Sequence, residues 1–123
     1  MSDEFRLIAR LRSILEAGEA ADARVIVGNG DDAAVLEPRS GRIVATTDSL
    51  VEGVHFRLDL CSAQDVGWRS VAVNLSDLAA MGSTPLALLA SLCIPSGMRP
   101  GTLYGVARGV AAACRAYGTR IVG

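Results

Sequence analysis

The sequence predicts an α+β fold: a mixed or antiparallel sheet of about four strands with helices on one face. Three observations lead there. Short β-branched runs cluster between residues 24 and 56. From Ser62 onward, helix-period and strand-like segments alternate. The run 86–94 is too apolar for a sheet face that meets water. At 123 residues and half hydrophobic, the chain can bury one core and forms one compact domain. Aromatics are only 4%, so that core is built of Leu, Val, Ile and Ala.

Residues 3–17 read as an amphipathic helix with Phe5, Ile8, Leu11 and Leu15 on one stripe. Ser2 or Asp3 caps its start and Gly18 ends it. After a connector at 20–23, Arg24-Val25-Ile26-Val27 is a strand that Gly28-Asn29-Gly30 breaks. Residues 33–36 form a second apolar run, closed by Pro38 and Gly41. Residues 42–47 are a third strand, and 50–56 a loop leading into a short one.

Ser62 with Asp65 three residues on resembles a capping box, with Asp in place of Glu. The helix it opens runs to about Met81 and stops at Gly82. Val71, Leu75, Leu78 and Ala79 form its apolar stripe, with Ser70, Asn74, Asp77 and Met81 on a neighbouring one. Residues 86–94, between Pro85 and Pro95, are a buried strand. This chain leaves no second layer to cover its other face, which makes a partner subunit a plausible cover. Pro100 suits the first turn of the next helix, whose stripe is Leu103, Val106, Val110 and Cys114 or Tyr117. Gly118 ends it and a final strand follows at 119–122.

Composition excludes some functions. A net charge of −1 with no basic run offers no phosphate-neutralising surface for nucleic acid. No apolar run is long enough to cross a bilayer. The acidic start Met1-Ser2-Asp3-Glu4 lacks a signal-peptide pattern. Cys61, Cys93 and Cys114 have neither zinc nor CxxC spacing and read as free thiols in a reducing cytoplasm.

The chemistry lies in three aspartates. Asp32 opens an apolar run after a Gly-rich turn, Asp48 ends a strand, and Asp77 sits among apolar helical neighbours. Acids in such settings are costly unless they are paired or bound to a cation. With the hydroxyls of Thr46 and Thr47 they make a hard-oxygen set suited to Mg²⁺ and a nucleotide. Asn74 and Asp77 face the same way, three residues apart. The turn at 28–32 is equally ordinary Asn-Gly-Asp turn chemistry, and Asp48 can close a strand-end Asx turn. The turn is neither a P-loop nor an EF-hand, because it lacks the Lys of the one and the alternating acids of the other. His55, the only histidine, is either a satisfied structural residue, a contact to a substrate phosphate or hydroxyl, or a proton-transfer group.

Five segments resemble a known family: Glu4 to Ile8, Gly30 to Val35, Thr46 to Phe56, Gly67 to Gly82 and Tyr117 to Gly123. The run Asn74-Leu75-Ser76-Asp77-Leu78-Ala79-Ala80-Met81-Gly82 is similar to the signature of the aminoimidazole ribonucleotide synthetase-like superfamily. Glu52-Gly53-Val54-His55-Phe56 and the Glu-Phe-x-Leu-Ile start resemble its thiamine-monophosphate kinases, specifically their N-terminal domain.

The resemblance implies ATP-dependent phosphorylation of thiamine monophosphate to thiamine diphosphate. It implies Mg²⁺ held by Asp32, Thr46, Thr47, Asp48 and Asp77, with Asp31 nearby, and ATP as co-substrate. Asp48 and Asp77 act in catalysis, Thr47 and Asn74 meet the nucleotide, and His55 meets the substrate. It also implies a homodimer whose sheets join into a barrel. The family's 119–123 strand continues into Gly-Gly-Asp-Thr and a C-terminal domain, so the expectation is an N-terminal fragment, inactive alone. The aromatic residue frequent near position 107 is Ala107 here, with Tyr104 one turn away. The alternatives are a synthetase-like ligase of the same superfamily, or a non-catalytic dimerisation and nucleotide-binding module.

Overall fold

In chain order the structure, a computed structural model, contains α1 (Asp3–Leu15), β1 (Val25–Val27), β2 (Val35–Leu36), α2 (Ala63–Ala80) and α3 (Pro100–Tyr117). It describes residues 3–39 and 41–123. The expected cap at Ser2 lies outside the described residues.

Both long helices start and stop where local chemistry directs. Ser62 Oγ accepts the Asp65 amide at 3.1 Å, and Asp65 Oδ2 accepts the Ser62 amide at 2.9 Å. Asp thus serves as the reciprocal member of the capping box. At the far end Gly82 takes φ +66°. Its amide reaches the Ala79 carbonyl and the Ser83 amide the Leu78 carbonyl, the two bonds of a Schellman stop. α3 begins with Pro100 and ends at left-handed Gly118.

α2 and α3 pack with their backbones in contact. A Cβ built on Gly67 would overlap the Val106 carbonyl, and one on Gly109 would overlap the Gln64 carbonyl. A Cβ on Gly105 would stand 2.8 Å from that of Ala63. The register advances in the same sense along both helices, so they run parallel. Trp68 and Tyr117 close one edge of this contact, with ring centroids 6.0 Å apart. The core continues from here through Val71, Leu75 and Leu78 of α2, Ala113 and Cys114 of α3, and Ile121. Leu15, Leu88 and Val110 lie against it.

Several expectations need correction. In α1 the expected stripe is only partly covered: Phe5 is 62% and Ile8 50% exposed, while Leu7, Leu11, Ile14 and Leu15 are half-buried. α1 packs on α3 alone among the helices, and one neighbour shields a narrower line than a stripe facing two. Ala79, expected on a buried stripe, is exposed; of the two alternatives for the end of the α3 stripe, Cys114 is buried and Tyr117 exposed.

Among the described residues the sheet has two antiparallel strands, pairing Val25 with Leu36 and Val27 with Val35 around an irregularity. Residues 42–47 join no strand. Residues 86–94 are extended but not buried: Leu89 is 76% and Leu92 54% exposed. Their tie to the rest is a parallel pairing with the chain end. Leu88 N–H donates to the Arg120 carbonyl, Val122 N–H to the Leu88 carbonyl, and Ala90 N–H to the Gly123 carbonyl, at 2.8, 2.9 and 2.8 Å. The physical reason is simple: an apolar strand is buried only where a second layer exists, and the described residues supply none over that face. The α+β class stands.

Candidate functional site

α2 carries the polar stripe that the sequence predicts, but its members behave differently. Ser70 Oγ donates to the Gly67 carbonyl at 2.7 Å, and Asn74 Nδ2 to the Ser70 carbonyl at 2.9 Å. Both bonds return to the helix's own backbone, and both residues are half-buried. One N–H and the carbonyl oxygen of Asn74 remain for other partners. Asp77, one turn on, is exposed, which corrects the expectation that its apolar neighbours shield it. Leu75 and Leu78 turn into the core and leave the Asp77 side of the helix uncovered.

Asp77 is nonetheless partnered. Thr46 Oγ1 donates to its Oδ2 at 3.2 Å. The segment after Gly41 thus crosses α2 and sets a hydroxyl against a carboxylate. Thr47 and Asp48 follow in the same exposed segment, and Asp48 Oδ1 accepts the amide of the next residue, Ser49, at 2.8 Å.

Asp31 and Asp32 lie on the exposed turn that Gly30 bends at φ +111°. Asp31 Oδ1 accepts the Asp32 amide at 2.9 Å. Two residues outside the expected site set meet this turn. Asn29 Nδ2 donates to the Ile121 carbonyl at 2.9 Å, tying the turn to the chain end. The Arg12 guanidinium lies where a Gly30 side chain would stand. Their signals were present, an amide between two glycines and a cation on α1, but neither names its partner. Among the described residues no three His, Cys, Asp or Glu side chains converge. The structure joins Thr46 to Asp77, while Asp32 and Asp48 stand on separate exposed turns.

His55 is exposed at the end of a turn. Its Nδ1 accepts the Val51 amide at 3.0 Å, and its own amide donates to the Val51 carbonyl at 2.8 Å. An accepting Nδ1 carries no proton, so Nε2–H is the donor left to the solvent. From α2, Arg69 donates to the His55 carbonyl at 2.6 Å.

A groove of about 670 Å³ lies elsewhere, between the three helices, with Arg10, Trp68, Arg108 and Arg115 on its walls. None of the candidate residues lines it. The contact between Thr46 and Asp77 lies on another, exposed side of the molecule. Ala107 is buried in α3, and Tyr104 stacks under Arg10 at 5.9 Å, so neither is free to face a ligand on that side.

Comparison with known proteins adds the following. Residues 30–123 match the family described as AIR synthase related protein, N-terminal domain. A thiamine-monophosphate kinase of Synechococcus elongatus is 41% identical over 95 residues, covering 76% of this chain and 29% of the relative. One of Bacillus subtilis is 34% identical over 122 residues, covering 98% of this chain and 36% of the relative. The crystal structure of a thiamine-monophosphate kinase from Stenotrophomonas maltophilia aligns with a TM-score of 0.70 at 35% identity, over 98% of this chain and 36% of that one. The chain therefore spans about a third of the length of the relatives it matches.

Proposed function

This chain belongs to the AIR synthase related protein family, as its N-terminal domain, and on that premise we propose that it is the metal- and nucleotide-binding part of a thiamine-monophosphate kinase. The reaction moves the γ-phosphoryl group of ATP onto the phosphate of thiamine monophosphate, yielding thiamine diphosphate and ADP. Relatives of that name, from 34% to 41% identical, support this reading. The structural observation that carries it is the contact between Thr46 Oγ1 and Asp77 Oδ2.

Their 3.2 Å separation suits two oxygen ligands of one cation. Neighbouring oxygens of an octahedral Mg²⁺ with bonds near 2.1 Å lie about 3 Å apart. The donor set is hydroxyl and carboxylate, the chemistry that ion takes. Thr46 and Asp77 would hold it together with Asp32, Thr47 and Asp48, of which Asp32, with Asp31 next to it, and Asp48 would have to close in from their separate turns. When bound, Mg²⁺ supplies positive charge between phosphate groups that otherwise repel.

The acceptor is a phosphate monoester carrying about −1.5 to −2 charge at neutral pH, so its oxygen needs no strong base to attack. It bonds to the γ-phosphorus while the bond to the β-phosphate oxygen breaks, and ADP leaves with that electron pair. What the protein contributes is position. Asp48 and Asp77 orient the charged centre, and Thr47 and the free amide groups of Asn74 meet the nucleotide. His55 offers Nε2–H to the substrate.

The remaining expectations belong to the same proposal. The apolar run 86–94, exposed from Leu89 on, and the 42–47 segment, which joins no strand, present surface that a second copy can cover. That supports a sheet of about four strands, completed and paired into a barrel across a homodimer. Free Cys61, Cys93 and Cys114 fit a reducing cytoplasm.

The test is ATP-dependent formation of thiamine diphosphate from thiamine monophosphate, assayed on the open reading frame that contains this chain, beside its Asp48→Ala form. Turnover lost in the variant is the expected result. A folded, dimeric protein without turnover overturns the thiamine assignment and directs attention to synthetase-like substrates.

A further inference from the structure

The turn that carries His55 has little packing to hold it. Val51 is 50% and Val54 75% exposed. Hydrogen bonds shape it instead. The Val51 carbonyl accepts the Val54 and His55 amides at 3.1 and 2.8 Å, and the Gly53 amide donates to the Phe56 carbonyl at 2.8 Å. Gly53 takes φ +81°, which favours a residue without a Cβ. The imidazole closes the turn by accepting the Val51 amide. Without an outside anchor, an exposed turn of this kind frays.

Arg69 is such an anchor. Its guanidinium donates to the His55 carbonyl at 2.6 Å, a short bond assisted by charge. Arg69 sits in α2, which is rigidly seated because Gly67 brings it against the α3 backbone. Asp77 lies eight residues further along the same helix, a rise of about 12 Å. One helix therefore positions both the His55 turn and the Thr46–Asp77 pair.

We propose that Arg69 is a positioning residue: by gripping the His55 carbonyl it keeps the 51–56 turn closed, and so holds the His55 imidazole in the single tautomer with Nε2–H outward. The functional meaning of this rests on the reading of His55 as the substrate contact; the geometry does not. A fixed tautomer presents a donor to a phosphate or hydroxyl oxygen without first paying for ring reorientation.

The chain has one histidine, so its imidazole signals need no assignment. The experiment is a long-range proton–nitrogen NMR spectrum of the 15N-labelled chain at a pH where the ring is neutral, for the wild type, Arg69→Met and Arg69→Lys. The wild type is expected to show two widely separated ring nitrogens, one bare and one protonated. In Arg69→Met the two signals are expected to converge as both tautomers become populated, with partial recovery in Arg69→Lys, which restores a cation but not the fork. Circular dichroism checks that α2 and α3 persist. Should Arg69→Met lose helix content, the comparison rests on Arg69→Lys, where partial convergence supports the proposal. An unchanged wild-type pattern in a folded Arg69 variant overturns it, because the turn then holds itself. No substrate enters this measurement, so its failure is separate from any failure of His55 to meet thiamine monophosphate.

Discussion

Thr46 Oγ1 donates a hydrogen bond to Asp77 Oδ2 at 3.2 Å, joining residues 31 positions apart. Both are exposed, so this contact contributes little to stability and leaves the oxygens open to a ligand. Asp77→Asn keeps the shape and removes the charge. Its unfolding free energy is expected to stay within about 0.5 kcal/mol of wild type. Magnesium-dependent ATP binding, measured by calorimetric titration with and without chelator, is expected to weaken at least tenfold, about 1.4 kcal/mol. Binding that Asp77→Asn leaves unchanged removes this residue from the metal set.

The α2–α3 contact has no room for a methyl group. Gly109→Ala drives a Cβ into the Gln64 carbonyl, which is helix backbone and cannot turn aside. The helices must separate, at a cost of about 1–3 kcal/mol or more. Gly101→Ala is the control, because a Cβ there meets nothing within 4 Å. It is expected to be neutral or to stabilise by a few tenths up to about 1 kcal/mol. Urea unfolding of the two variants reads the difference directly.

Acid destabilisation has a legible source. The Ser62 hydroxyl, and then the Ser62 amide, hold the Asp65 carboxyl below its ordinary value. Hydrogen bonds from the Arg24 side chain, then the Arg24 amide, hold Asp22 well below the usual carboxylate range. For a group depressed in the folded state, the stabilisation is complete above the unfolded value, about 3.9 for Asp, and is lost as pH falls below it. Glu19 has the opposite sign, since burial raises it, so its contribution is present at low pH and lost as pH rises. Stability is therefore expected to fall as pH drops below about 4, less steeply in Asp65→Asn than in wild type. Equal slopes in the two proteins contradict the assignment to this cap.

The exposed 86–94 run makes a prediction about assembly. Leu89 and Leu92 present apolar surface that a second copy would cover. Replacing both with Glu sets four acids close together in a dimer and is expected to raise its dissociation constant at least tenfold, about 1.4 kcal/mol. Sedimentation velocity measures this, with helix content unchanged. A chain that is monomeric before and after the replacement assigns the face to a different partner.

How much could be read in advance depended on range. The ends of α2 and α3 follow from Ser62 with Asp65, Gly82, Pro100 and Gly118, because each acts through bonds to residues a few positions away. The apolar runs that become β1 and β2, and the Gly28–Gly30 break between them, are local in the same way; their pairing is seen only in the structure. The α1 stripe is covered at Leu11 and Leu15 but not at Phe5 and Ile8, because periodicity reveals which residues share a face but not how wide a neighbour covers it. Glycines 67, 105 and 109 were visible as poor helix formers, yet nothing local says that each meets another helix's backbone.

The sequence by itself determined the α+β class, the two long helices and the family resemblance with its hard-oxygen residues. Only the tertiary structure decided that Thr46 meets Asp77, that Arg69 reaches the His55 carbonyl, and that Asp77 and residues 89–94 stay open to solvent. The physical reason is that caps, turns and periodicity are short-range interactions written into neighbouring residues. Burial and distant contacts depend on which surfaces folding brings together, and on what else is present to cover them.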